Sequence, residues 1–537
     1  GSGVSRVWLD GKVHAALADS TLQVGAPEAW AAGWDGSGVK VAVLDTGYDT
    51  DHPDLVGRVV GSKSFVPGET VEDRNGHGTH TASTVGGSGA AAGGAEKGVA
   101  PGSQLIIGKV LSDEGSGDDS WVIAGMEWAA AQGAKVVSMS LGGSTPSDGT
   151  EPVCAAVNDI SAAHGTLFVV AAGNAGAEAT ISCPGAADAA LTVAAVDNTD
   201  QMAWFSSQGP RYLNYGLKPD IAAPGVEILA AKAGGNDADG WYTSMSGTSM
   251  ATPHVAGAAA DLAEEHPDWT GQQLKDALMS TSRPIEGGAY HVGAGEVDLT
   301  VGTTDQVIAT GSAFLGFSAW PHPALDPESK TITYTNSGSS PVTLDLAETV
   351  QVAGGPYDVD PGADAGTPAP DGMFSLSTNR ITVPAHGSVD VVATGDPSKG
   401  QMARRYVGQV VATEASGAVK ARTQVGLYIE DERYNMTIDL RDRAGKPSAG
   451  YVQLQQKGNP EVYVIAIDES GTLTMRMLPG TYSLVSYLEV PGAHGPDSRG
   501  MAQLADPEVV LDRDRTVSLD ASKAVQVKAV VAKKTED

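Results

Sequence analysis

The chain has 537 residues, 41% of them hydrophobic and only 5% aromatic, with 68 glycines; it is too long for one core, and two to four closely packed domains are expected. Its formal net charge of −31 argues against nucleic acid as a partner, because phosphate binding needs a basic face, and suits a soluble protein that resists self-association. No apolar run reaches the roughly 18 residues of a membrane helix, no signal-peptide pattern opens the sequence, and two cysteines are too few for a zinc cage.

Residues 1–24 read as extended and irregular, with a short strand at Val7–Lys12. An alternation of strands and helices begins near residue 25. Continuous apolar runs at 39–44, 104–111, 136–141, 166–171 and 191–196 predict buried strands. Helix-compatible segments lie at 77–87, 120–132, 153–163, 249–265 and 270–281. Apolar strands separated by helices imply an α/β fold, a mostly parallel sheet covered on both faces. Near residue 300 the texture changes to short alternating runs between Gly, Pro, Asn and Ser, such as 331–335, 342–346, 380–383 and 407–413. That pattern predicts all-β sandwich domains, the first containing a long loop at 352–372 and a second starting near Tyr434.

Four segments place polar residues where a sheet of this kind binds ligands, beyond the carboxyl ends of its strands. Asp45 ends the first strand in Leu44-Asp45-Thr46-Gly47. His77 stands in Asn75-Gly76-His77-Gly78-Thr79-His80. Asn174 follows the fourth strand in Ala171-Ala172-Gly173-Asn174. Ser249 opens a helix in Ser246-Gly247-Thr248-Ser249-Met250-Ala251-Thr252-Pro253-His254. A serine in the first turn of a helix meets unpaired N–H groups and a positive dipole. Taken singly, each has an ordinary structural reading, for Ser249 that of a helix cap. Together, an acid, an imidazole, an amide and a helix-start serine read as acyl transfer. Serine attacks a carbonyl, histidine takes its proton, the carboxylate orients the histidine, and the amide donates to the oxyanion.

The order Asp, His, Ser and these motifs resemble the subtilisin-like serine proteases (subtilases) over roughly residues 25–300. The resemblance implies a serine endopeptidase of bacterial secreted type. Ser249 is then the nucleophile, His77 the base and acid, Asp45 its orienter, and Asn174 with the Ser249 N–H the oxyanion hole, assisted by Thr248; His80 is structural. Gly115, Ser116 and Gly117 resemble the family's substrate-pairing edge strand, and Ser140, Leu141 and Gly142 the facing strand. Ala172, Gly173 and Ser182 would bound the pocket for P1, the residue before the scissile bond. No acid falls on those stretches, so an uncharged, mainly hydrophobic P1 is expected. Phe205 resembles a wall on the leaving-group side. Asp113, Glu114, Asp118 and Asp119 offer either a P2/P4 preference for basic residues or a solvated acidic loop.

The resemblance also implies that Cys154 and Cys183 form a disulfide, two buried free thiols being the alternative. It implies no required cofactor. Calcium is possible without an identified site: Asp54 matches the family's acidic ligand, but the Gly/Ala-rich loop 86–98 lacks its asparagine ligands. Met250, beside the nucleophile, should make the enzyme sensitive to oxidation. Expected partners are peptide or protein substrates, the enzyme's own propeptide as inhibitor before maturation, and protein protease inhibitors. The chain reads as a processed, extracellular form. Residues 1–24 would be an N-terminal arm, 25–303 the catalytic domain, 307–432 a fibronectin type III-like sandwich and 433–537 a small prealbumin-like sandwich. Two other functions fit the same sequence: a maturation protease dedicated to one precursor, and a silent protease core in a binding or adhesive protein.

Overall fold

Seven strands of the chain lie side by side in one parallel sheet. They are β1 (Lys40–Asp45), β2 (Val59–Ser64), β3 (Gln104–Lys109), β4 (Val136–Met139), β5 (Leu167–Ala171), β6 (Leu191–Val196) and β7 (Ile221–Pro224), in spatial order β2-β3-β1-β4-β5-β6-β7. The computed structural model describes residues 17–303, 306–322, 324–353, 365–491 and 498–527; the strand expected at 7–12 and most of the loop at 352–372 lie outside them. Every pair within the sheet is parallel. β1, β4, β5 and β6 are buried along almost their whole length, which is why they read as continuous apolar runs.

Eight helices lie in the same part of the chain, residues 17–302, among the described residues. Those used below are α1 (Leu17–Gln23), α2 (Ala26–Ala32), α3 (His77–Gly86), α4 (Asp119–Ala131), α5 (Pro152–His164), α6 (Thr248–Glu265) and α7 (Gly271–Ser280). Side chains alternate across β1. Val41 and Val43 face a core closed by α3 and α6, while Ala42 and Leu44 face a second core closed by α4 and α5. Helix α6 is buried almost throughout, and its run of Ala and Gly allows close approach: a Cβ at Gly257 would lie 2.6 Å from Val99.

Residues 17–23, within the stretch expected to be irregular, depart from that expectation. They form α1, because Leu17 is buried with Ile228, Ala230 and Met250, and Ser20 meets the Nε2 of His254 at 2.7 Å. Tertiary packing makes a helix of a segment too short to hold itself.

The chain divides into two compact units. One holds the parallel sheet with its helices and a first sandwich reaching Tyr428, of a four-stranded and a five-stranded sheet. The other, from Ile429 with Ser318–Ala324, holds a three-stranded and a four-stranded sheet around its own core of Met436, Ile438, Leu484, Leu511 and neighbours.

Candidate active site

Asp45 closes β1 with no exposure. One of its oxygens, Oδ1, accepts from the Thr46 N–H at 2.7 Å and meets His77 Nδ1 at 2.7 Å; the other, Oδ2, accepts from Thr81 Oγ1 at 3.2 Å. A carboxylate can only accept, so Nδ1 carries the proton and Nε2 is left as the basic nitrogen, at the cleft that His77 lines. His77 begins α3, brought against the β1 turn by two glycines. A Cβ on Gly78 would lie 2.2 Å from the Gly47 carbonyl oxygen, so the first turn of α3 can sit on that turn only as glycine. Thr46 and Asp73 tie the two together: Gly78 N–H donates to Thr46 Oγ1 at 2.8 Å, and Thr46 donates to Asp73 at 2.9 Å. Burial is the largest influence on the His77 imidazole and opposes its charge. The charge of Asp45, its hydrogen bond and then Asp73 outweigh burial and raise the pKa above the ordinary histidine value. His80 instead points into the core, with Nε2 2.9 Å from the Ile228 carbonyl, and burial pushes it down to about 4. It stays neutral.

Ser249 is the second residue of α6. Pro253 has no N–H to give to the Ser249 carbonyl. Ser140, past the end of β4, donates to that carbonyl at 2.8 Å, and the Ser249 hydroxyl donates back to the Ser140 carbonyl at 3.3 Å. The Asn174 side chain is fixed from one end. Its Oδ1 accepts from the Thr248 N–H at 2.9 Å and from the Thr248 hydroxyl at 3.0 Å, which turns its NH₂ away from Thr248. Thr248 is fully buried, and its hydroxyl also accepts from Gly173 N–H at 3.2 Å. Its hydroxyl therefore holds the amide by its oxygen.

A cleft of about 500 Å³ opens beside His77. Of the residues expected to bind substrate, it brings together Gly115, Ser116 and Gly117 on one side and Ser140, Leu141 and Gly142 on the other. Ala172, Gly173, Ser182 and Phe205 stand behind or beyond its lining: Ala172 is buried, and Ser182 sits next to Gly142. Val153, Cys183 and Pro184 also line it. The acidic group divides. Asp113 is held by Lys109 Nζ at 2.8 Å, with Glu69 on the same ammonium at 3.1 Å and Arg74 3.7 Å from Asp113. The hydrogen bond from Lys109 keeps its carboxyl below the usual range. Asp113 is thus neutralised within the protein, and only Asp119 of the four lines the cleft. Sequence reading missed Lys109 because a buried lysine at a strand end has no local signature.

Cys154 and Cys183 are joined, with their Cα atoms 5.4 Å apart; the bond ties the start of α5 to the wall of the cleft. Met250 is buried beside Leu17. The calcium question turns on Asp54. Its Oδ1 accepts from the Ala91 N–H at 2.9 Å and its Oδ2 from the Tyr242 hydroxyl at 2.9 Å, while its carbonyl accepts from the N–H of Ser88. Hydrogen-bond donors surround this carboxylate where a cation would need further oxygens, so the residues here do not fit calcium. Glu151 lies near Cys154 and Cys183, but bridged sulfurs offer no thiolate to a metal. No helix among the described residues is long and apolar enough to cross a membrane.

The model of the Subtilase family matches residues 36–306. The chain is 41% identical over 282 residues to subtilisin of Bacillus pumilus, an alignment covering 52% of this chain and 95% of that protein. It is 42% identical over the same length to subtilisin Savinase of Lederbergia lenta, covering 52% and 96%. Among solved structures, Sphericase aligns with a TM-score of 0.44 at 37% identity, over 49% of this chain and 92% of that one. With half of its length matched, and nearly the whole of two subtilisins covered, the chain belongs to the subtilase family and is a subtilisin-like serine endopeptidase.

Proposed function

We propose that the enzyme cleaves peptide bonds through an acyl-enzyme on Ser249. His77 Nε2 takes the serine proton during attack and returns it to the leaving amine; a water activated by the same nitrogen then releases the acid product. Asp45 holds the tautomer and stabilises the imidazolium. The NH₂ of Asn174 and the Ser249 N–H, in the first turn of α6, receive the oxyanion. The observation that carries this reading is the 2.7 Å Asp45–His77 contact in a chain whose Asn174 amide is anchored, among the described residues, by its oxygen. Ser249 leaves the Ser140 carbonyl for His77 when substrate fills the cleft, since catalytic hydrogen bonds tighten in the Michaelis complex.

An extended substrate pairs with 115–117 and 140–142, as an added strand. Val153, Pro184 and the disulfide favour an uncharged P1 side chain. Any P2/P4 preference for basic residues rests on Asp119, because Lys109 holds Asp113. The domain limits 25–303, 307–432 and 433–537 accompany this reading, as does an extracellular site of action, where an oxidising environment preserves the Cys154–Cys183 bond.

Labelling with a serine-reactive phosphonate tests it. The wild type should be labelled at Ser249 and lose peptidase activity in step, and Ser249→Ala should take no label. A labelled Ser249→Ala protein, or a fully labelled enzyme that still cuts peptides, would overturn the assignment. Loss of Ser249 or His77 should lower kcat by roughly 10⁶, a magnitude carried over from subtilisin itself.

A further inference from the structure

Asn174 rides on an irregular loop. Residues 173, 176 and 179 have positive φ, +104°, +62° and +53°, the last at an alanine, a conformation that persists only where neighbours hold it. One neighbour is the segment 207–209. Ala175 N–H donates to Ser207 Oγ at 3.1 Å, Gln208 N–H to the Ala177 carbonyl at 3.1 Å, and Ala179 N–H to the Gly209 carbonyl at 3.2 Å. That segment is fastened in turn, by Gly209 N–H to the Tyr290 carbonyl at 2.7 Å. The other neighbour comes from the first sandwich. Arg405, in the strand Arg404–Glu414, sends two parallel N–H groups onto the two oxygens of Glu178, at 3.2 and 3.3 Å, and lies over the Tyr290 ring at 5.5 Å. Its own backbone is fixed, because its carbonyl accepts from Ala353 N–H at 2.7 Å. Both side chains are mostly buried, at 21% and 27% exposure, so the pair is better shielded from solvent than a surface ion pair, and its forked geometry fixes direction as well as distance.

We propose that Arg405 is a positioning residue for catalysis: the first sandwich holds the oxyanion loop in place through Glu178, four residues beyond Asn174. The arginine lies outside the segment that matches the subtilase family, residues 36–306, so this support is supplied by the appended domain. The proposal rests on the reading of Asn174 as an oxyanion donor. Arg405 touches no substrate; it acts by limiting where the Asn174 amide can stand.

The test is a double-mutant cycle in the full chain, with kcat and KM on a peptide anilide and active sites counted by phosphonate titration, so that misfolded protein is not scored. Asn174→Ala should lower kcat by about 10²–10³. Arg405→Met should lower kcat by about tenfold with KM little changed, as a small misplacement does. In the Asn174→Ala background, Arg405→Met should change kcat by less than about twofold, the limit of additivity for unrelated sites being similar. The swap Arg405→Glu with Glu178→Arg should recover most of the loss. If Asn174→Ala shows its full loss while Arg405→Met leaves kcat at the wild-type value, or lowers it equally in both backgrounds, the proposal is wrong. If Asn174→Ala itself costs nothing, the reading of Asn174 fails and takes the proposal with it.

Discussion

Thr248 decides which way the Asn174 amide faces. Thr248→Val keeps shape but removes one of two donors to Oδ1; kcat should fall up to about tenfold, the worth of one neutral hydrogen bond, with KM nearly constant in steady-state assays. His77 gives a second prediction. It must be neutral to act as base, and its raised pKa places the acid limb of kcat/KM above the ordinary imidazole value of about 6.5. Asp45→Asn should move that limb down in a pH–rate profile and cut kcat by about 10⁴. The linkage to stability has the opposite sense. A raised folded pKa adds stability that is fully present below the unfolded value and is lost as pH rises through the folded one, so His77 stabilises the fold least where it catalyses best. At this scale the motif residues were legible, because each stands in a long local pattern. Asp113 was not: its partner Lys109 reaches it from a strand end, where four residues' separation carries no helical meaning.

Two buried charge arrangements decide the stability of elements. Asp220, before β7, accepts from Lys218 Nζ at 2.6 Å and lies 3.4 Å from Lys275 Nζ of α7. Burial pushes Lys218 down to about 7 against the pull of Asp220. Asp220→Ala would leave two buried ammonium groups without their carboxylate and should cost about 3–5 kcal/mol, read from urea unfolding. Asp261 on α6 is the reverse case. It is fully buried, neither oxygen has a hydrogen-bond partner, and burial, with Asp35 and Glu264, raises its pKa well above normal. Its favourable contribution is present below about pH 4, the unfolded carboxyl value, and is lost as pH rises through the folded pKa. Asp261→Leu should therefore raise Tm, by the equivalent of about 1–3 kcal/mol, with the gain growing toward alkaline pH. The sequence announced the central strands because both their faces are buried. It hid β2, whose burial is intermittent at the sheet edge, and α1, whose seven residues are helical through contacts with distant parts of the chain.

At the scale of the molecule, two units carry separate cores. Calorimetry should resolve more than one transition, and peptidase activity should disappear with the transition of the unit containing Ser249, as independent cores unfold independently. The net charge of −31 predicts that moderate salt raises Tm by screening self-repulsion. The texture change near residue 300 was visible as a loss of helical period. What could not be seen was that the first sandwich shares a unit with the protease, since Arg405 and Glu178 are 227 residues apart.

Pro253 leaves the Ser249 carbonyl open, and Ser140 fills it. The same residue lines the cleft beside His77, along which the proposed substrate strand would lie. On the proposed reading, a peptide long enough to settle along 140–142 presses on the turn that carries Ser249. Extending a substrate on its acyl side should raise kcat and not merely lower KM, because contacts remote from the scissile bond are converted into alignment of the attacking oxygen. A series of peptides of increasing length, compared in wild type and Ser140→Ala, would reveal this as a length dependence of kcat that flattens when the hydroxyl is gone.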